Sequence, residues 1–343
     1  MSGTVYNINM RVLLVGLGEW GALWYKELTS RTDIHLAGVA DLNIETCQKI
    51  KKKADCQFYS DAEKAMNELK PDFIINSSPP DAHKAINDLA FDFNIPVLSE
   101  KPIAGNWEDI LHIVSRAQNG QKLMIAENYR YAPTCRLIKK ILLQKKIGNL
   151  SGIRIDFHRR HFMENYHKEM LHPMLHDVGI HHLDMLRYFT GSEAESVYTD
   201  FFTPAESWYK GYSNLLLHIT MKNGVKVVYN GSLDGPLNET NWHGHWIFTG
   251  DKGVLRYQNS NLYFDFEDPQ TTQKGEISAV KTEIVAIPEN NDKNAFNIIL
   301  DAFIAYVQHG TLPETHISDN IKTHNIAHMA LCSFETGGKY NAY

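Results

Sequence analysis

Residues 11–21, RVLLVGLGEWG, set a compact apolar run directly before Gly16, Gly18 and Gly21. The run is short enough for a buried strand, and residues 17–31, LGEWGALWYKELTSR, carry apolar side chains at helical spacing. The glycines therefore fall on a strand-to-helix turn. There, Gly16 permits the tight turn, Gly18 lets backbone approach a pyrophosphate and Gly21 allows close packing, while the helix N-terminus faces negative charge. Asp41 closes the next predicted strand, 34–41, at 20 residues beyond Gly21. A carboxylate at that place bonds the ribose 2′-hydroxyl of a dinucleotide, and it can equally cap the helix that follows. Gly16, Leu17, Gly18, Glu19, Trp20, Gly21 and Asp41 are the cofactor-binding candidates of this turn.

Outward from this turn, strand and helix alternate. A helix is predicted over 43–54, a strand over 73–78, a helix over 80–93, a strand over 95–100, a helix over 106–118 and a strand over 122–127. That alternation implies an α/β domain, a parallel sheet wound on both faces, over residues 1–127. Ligands of such sheets lie beyond the carboxyl ends of the strands. Two further strand ends, 76–83 (NSSPPDAH) and 99–102 (SEKP), therefore make Ser78, Pro79, His83, Glu100 and Lys101 candidates for the cofactor crevice. Pro102 suits a cis bond. The same tripeptide also reads as a turn with a solvated salt bridge.

Residues 128–343 form the second predicted domain, of α+β type. After a helix over 132–144, strands are expected at 152–162, 195–202, 212–221, 225–232, 245–250, 253–258 and 261–266, with Asn223-Gly224 as a hairpin signal and two amphipathic helices at the end. Within this domain, 176–184 (HDVGIHHLD) concentrates three histidines and two carboxylates. On an α-helix Asp177, His181 and Asp184 share one face. A metal set could be drawn from His172, His176, Asp177 and His181, but Pro173, Gly179 and the lack of an HExxH spacing oppose it, so no metal is expected. A helix start and a proton-transfer site remain. Asp184 is expected to cap or bond nearby backbone. Arg159, Arg160 and His161 end a strand, and Trp242, His243 and His245 lie in a predicted loop that could close over a ligand. Arg160, His161 and Trp242 are the substrate-binding candidates, against the alternative of solvated arginines and a packed aromatic.

Composition excludes other classes. An apolar fraction of 43%, a charged fraction of 22% and a net charge of −6 give no basic footprint for nucleic acid or an anionic membrane. No apolar run is long enough to span a bilayer, and the N-terminus lacks signal-peptide character. Cys47, Cys56, Cys135 and Cys332 are scattered and form no CxxC, which suits a reduced, cytoplasmic chain.

The ordered set VGLGEWG, NSSPPDAH, SEKPI, ENYRYAP and HDVGIHHLD resembles the Gfo/Idh/MocA oxidoreductases, the glucose-fructose oxidoreductase and inositol dehydrogenase family. The resemblance implies a Rossmann domain followed by a domain on an open, largely antiparallel sheet, with active-site residues drawn from both. It further implies hydride transfer between a nicotinamide and a secondary alcohol or ketone of a sugar, inositol or related polyol. By resemblance His181 is the acid/base, Lys101 the lysine of the EKP element, and Asp177 the carboxylate that contacts substrate and orients the histidine. Histidine suits proton transfer near neutral pH, and lysine suits a developing alkoxide. Asp41, with no arginine immediately after it, favours NAD over NADP. Apolar residues on both alternating sets of the strands at 214–221, 225–232 and 245–250 point to a homodimer or homotetramer through the sheet. An NAD-dependent glycosidase acting by transient oxidation and a non-catalytic nucleotide-binding sensor are the other functions this fold is known to carry.

Overall fold

The computed structural model describes residues 9–43, 45, 56–162, 166–235, 237, 239–268, 280–287 and 295–342. It divides into two compact units, one of residues 1–128 with 293–321, the other of 129–292 with 322–343.

The first unit is a six-stranded parallel sheet in the order β3-β2-β1-β4-β5-β6. Its strands are β1 (Met10–Val15), β2 (Ile34–Ala40), β3 (Gln57–Tyr59), β4 (Phe73–Asn76), β5 (Val97–Ser99) and β6 (Leu123–Ile125). The apolar runs are buried on both faces, as a parallel sheet covered by helices requires. Val15 pairs with both Ala40 and Asn76, and Asn76 with Ser99. The carboxyl ends are thus level, which sets Gly16, Asp41, Ser77 and Glu100 along one edge, at the reversal of strand order where such sheets bind ligands. Helices α1 (Glu19–Ser30), α2 (Ala62–Leu69), α3 (Pro80–Asp92) and α4 (Trp107–Gln118) follow their strands. The helix expected at 43–54 lies outside the described residues, apart from Glu45 and its neighbour Asn43.

The domain boundary differs from the expected split at 127/128. Helix α7 (Ala295–His309), late in the chain, packs in the first unit. Phe303 meets Phe73 edge-on at 5.4 Å, Phe296 meets Trp24 at 4.7 Å, and the Lys122 ammonium donates to the Val307 carbonyl at 2.7 Å. An amphipathic helix carries no address in its own periodicity; its apolar face buries wherever a complementary face stands open.

The second unit is built on a nine-stranded sheet, β14-β13-β12-β11-β7-β10-β9-β8-β15. Its strands are β7 (Leu150–His158), β8 (Ala194–Phe202), β9 (Asn214–Met221), β10 (Lys226–Ser232), β11 (His245–Gly250), β12 (Val254–Gln258), β13 (Asn261–Glu267), β14 (Val280–Val285) and β15 (Tyr340–Asn341). Among the described residues the pairings are antiparallel except β7 with β10. Gly224, at φ 88°, turns β9 into β10 as its sequence signalled. Helices α5 (Pro133–Leu143), α6 (Ile180–Thr190) and the later part of α8 (Ile317–Thr336) share one core with Ile155, Phe157, Leu217, Tyr229, Trp246 and Phe248 of the sheet. The alternate residues Tyr198, Leu216 and Val228 remain exposed. Among the described residues no helix is long and apolar enough to cross a membrane.

Candidate active site

In the first unit the glycine turn is held from three sides. Gly16 has φ +90°, and a Cβ there would lie 2.5 Å from the Ser77 backbone; one on Gly21 would lie 2.2 Å from the Gly16 carbonyl oxygen. Neither position tolerates a side chain. Gly18 is different: a Cβ there would meet nothing within 4 Å, and no side chain caps α1. Open space before uncapped helical amides is what a pyrophosphate needs. The Ser77 hydroxyl, buried beside the turn, has no hydrogen-bond partner among the described residues. Open glycine and orphaned hydroxyl together fit a bound dinucleotide. Ser77 was not singled out by sequence; its neighbour Ser78 was, and only the level strand ends reveal that Ser77 backs the turn.

Asp41 has a second role here. Its carboxylate accepts the Leu17 amide at 2.6 Å and the Asn43 amide at 2.7 Å, bracing the turn from the end of β2. Leu17 is buried at 3% exposure, with its amide on Asp41. His83 has structural partners on both sides. It is 0% exposed, with Nδ1 2.7 Å from the Pro102 carbonyl oxygen and Nε2 2.8 Å from that of Ser78, so it braces two turns. Pro102 follows a cis bond. Glu19, Trp20, Ser78 and Pro79 remain partly or fully exposed around the turn.

Glu100 and Lys101 are both buried. The Trp24 indole donates to one Glu100 oxygen at 2.7 Å and the Lys101 amide to the other at 3.3 Å. Burial pushes the Glu100 carboxyl up to about 7, against the pull of Trp24 and Lys101. The Trp24 indole is a closer donor to Glu100 than the Lys101 backbone amide.

In the second unit, residues Met174–Gly179 form a π-helical turn that leads into α6. Its wider spacing moves Asp177 off the simple α-helical face expected for it with His181 and Asp184. His181 is 3% exposed, and the Tyr129 ring stacks on its imidazole at 4.1 Å, 12° from parallel. Asp184 binds side chains of distant segments: Arg130 at 2.8 and 2.5 Å, and the Thr323 hydroxyl at 3.0 Å. The Tyr129-Arg130 turn thus holds α6 at two points a turn apart. Nothing in the local pattern of ENYRYAP announces this, because the partners stand more than fifty residues away.

Asp177 lies 3.6 Å from His167, and its charge, with that of Asp234, adds to the burial that raises the Tyr209 phenol. His182 accepts the Tyr229 hydroxyl at 2.5 Å and donates to the Trp242 carbonyl at 3.0 Å. That carbonyl fixes the Nε2–H tautomer, and burial drives the ring's pKa down to about 3. Trp242 is consequently anchored. Arg159 lies over its ring at 4.5 Å while bonding the Thr240 carbonyl at 2.8 Å, and His161 meets its edge at 5.0 Å. The predicted closing loop is a pinned one, and His245 begins β11 instead of lying in it. Arg160 stacks over Phe162 at 5.1 Å. Among the described residues no group of three or more His, Cys, Asp or Glu side chains is placed to hold a metal ion.

Residues 10–128 match the family described as an oxidoreductase family with an NAD-binding Rossmann fold, and residues 135–256 match the GFO/IDH/MocA C-terminal domain. The uncharacterised protein y4oX of Sinorhizobium fredii is 22% identical over 95% of this chain and 94% of its own. Inositol 2-dehydrogenase of Corynebacterium glutamicum strain R is 25% identical over 72% of this chain and 73% of its own, and D-apiose dehydrogenase of Rhizobium rhizogenes 26% identical over 54% and 56%. In fold, the chain is similar to an Agrobacterium radiobacter oxidoreductase solved with NAD+, L-tartaric acid and magnesium (TM-score 0.84, 18% identity, covering 97% of this chain and 98% of that one). It is also similar to a myo-inositol dehydrogenase of Corynebacterium glutamicum (TM-score 0.79, 21% identity, covering 98% and 99%). With both domains matched over more than half its length, this chain belongs to the Gfo/Idh/MocA oxidoreductase family.

Proposed function

We propose that this protein is an NAD-dependent dehydrogenase acting on a secondary alcohol or ketone of a sugar, inositol or related polyol. The observation that carries the reading is the glycine turn, where Gly18 opens onto space that no described side chain fills, beside the Ser77 hydroxyl, which has no partner among the described residues. The relatives named inositol 2-dehydrogenase and D-apiose dehydrogenase support the substrate class. Gly16–Gly21, Ser77 and Asp41 would hold the dinucleotide, which when bound supplies the hydride acceptor. His181 takes the hydroxyl proton, its ring orientation set by the Tyr129 stack. Lys101 stabilises the alkoxide charge, and Asp177 orients the substrate hydroxyl.

A panel of sugars and polyols followed by NADH absorbance, with NAD and NADP in parallel, tests the activity. On the substrate found, His181→Ala and Lys101→Ala are each expected to lower turnover by roughly two to four orders of magnitude, the scale of a positioned proton-transfer or charge-stabilising group, with NAD affinity little changed. Near wild-type turnover of His181→Ala would overturn its assignment. Release of sugar from an aryl glycoside without net NADH would replace dehydrogenation by glycosidase chemistry, and tight NAD binding with no turnover on any substrate would mark a sensor.

A further inference from the structure

His83, in the first turn of α3, presents each ring nitrogen to a backbone carbonyl oxygen, Pro102 at 2.7 Å and Ser78 at 2.8 Å. A carbonyl oxygen only accepts, so each contact requires an N–H from the ring, and a neutral imidazole has one. In either neutral tautomer the other nitrogen would aim its lone pair at an oxygen within bonding distance. The side chain is 0% exposed, so bulk solvent does not reach either nitrogen. We propose that His83 is a doubly protonated imidazolium that ties the Ser78 turn to the Lys101-Pro102 turn, and is thereby both the positioning residue and the cationic neighbour of Lys101.

The charged groups that act on the ring are Lys101, which opposes a second cation, and Asp81, which favours it. Burial works against the charge most and, joined by Lys101, draws the imidazole below its ordinary pKa even though both carbonyls and Asp81 raise it. The geometry outweighs that tendency. Removing a proton here does more than neutralise a buried ring: it converts an attractive contact into a repulsive one, and two hydrogen bonds to an ionised donor are the stronger kind. The coupling with Lys101 is reciprocal, so a cationic His83 disfavours the lysine's ammonium form by as much as Lys101 disfavours the imidazolium. The fixed charge would also stand behind a turn that binds an anionic cofactor.

The charge state can be read directly by neutron diffraction from deuterated crystals of the whole protein at pH 7. Deuterium on both Nδ1 and Nε2 is expected; deuterium on one alone overturns the proposal. This measurement uses the wild-type protein and stands whether or not a variant folds. The influence on Lys101 rests on the dehydrogenase reading and is tested in the pH profile of kcat/KM. In His83→Gln, which removes the cation, the alkaline limb should move upward by about one pH unit, the size of a neighbouring-charge effect. A lower rate with an unmoved limb would reduce His83 to a structural brace and overturn the coupling. Two deuterons together with undiminished turnover of Lys101→Ala would sustain the imidazolium while refuting the function proposed for the lysine.

Discussion

Asp41 shows how one side chain can serve two ends. We propose that its carboxylate bonds a ribose hydroxyl, and the same group accepts the Leu17 amide at 2.6 Å. Asp41→Ala is therefore expected to do more than relax cofactor choice. NAD affinity should fall by about tenfold, in line with loss of a charge-assisted hydrogen bond, while NADP, freed from a repelling carboxylate, should lose less or gain. Separate titrations decide it. An unchanged ratio of the two affinities would show that another residue reads the 2′ position. The spacing from Gly21 disclosed the aspartate, but its bond to the glycine turn depends on β1 and β2 lying side by side, which no linear count contains.

At the scale of the element, α6 is fixed less by its own propensity than by what grips it. Asp184 is 0% exposed, and the Arg130 fork closes on both of its oxygens with Thr323 as a third partner. A buried carboxylate that loses its bidentate cation is costly even with Arg187 4.0 Å away, so Arg130→Ala should lower unfolding stability by about 3–5 kcal/mol in urea titrations. Arg130→Lys should lie between, since an ammonium cannot bridge both oxygens. A loss under about 1 kcal/mol, the level of exposed pairs, would mean that the pair does not hold the helix. The helix itself was legible from its apolar pattern. The preceding π turn was not, although Pro173 and Gly179 had signalled that a regular helix would not run through 172–181; the wider turn arises as the chain enters α6, with Met174, Leu175 and Val178 all buried.

For the molecule as a whole, burial of imidazoles sets the acid limit. His172 and His176 are pushed down to about 4 and His182 to about 3, chiefly by burial. Below the ordinary histidine pKa of ~6.5 the unfolded chain takes up protons that the folded chain refuses, so stability present above that pH is lost as pH falls toward 4. Each such group contributes a slope of about 1.4 kcal/mol per pH unit within its window. Glu100, raised to about 7, acts in the opposite sense between that value and its unfolded 4.5, as does Glu27, but the lowered imidazoles, His245, His316 and His328 among them, outnumber these carboxyls. Urea melts between pH 7 and 4.5 should show stability falling with acid, and His172→Leu should flatten the slope. A flat profile in the wild type would contradict the burial of these rings. We also propose at least a dimer through the open sheet face, where Tyr198, Leu216, Val228 and Phe202 lie 43–52% exposed. Light scattering at micromolar concentration should give at least twice the monomer mass, and a monomeric mass would refute it.

The linear chain by itself determined most of the secondary structure, the parallel sheet and its glycine turn, because these follow from local periodicity, from backbone freedom at Gly16 and from a fixed strand-to-helix spacing. The family was legible in five short motifs. What waited for the tertiary structure were partnerships between distant segments: the return of α7 to the first unit, the Ser77 hydroxyl behind the turn, Tyr129 on His181, and the two carbonyls at His83. Short strands such as β3 and β15 also stayed unread, since three or two residues carry too little pattern to be seen. The physical reason is common to all of these. A hydrogen bond or a stacked ring is specified by two surfaces at once, and the sequence writes each surface separately, leaving their meeting to the packing of the sheets and helices that bear them.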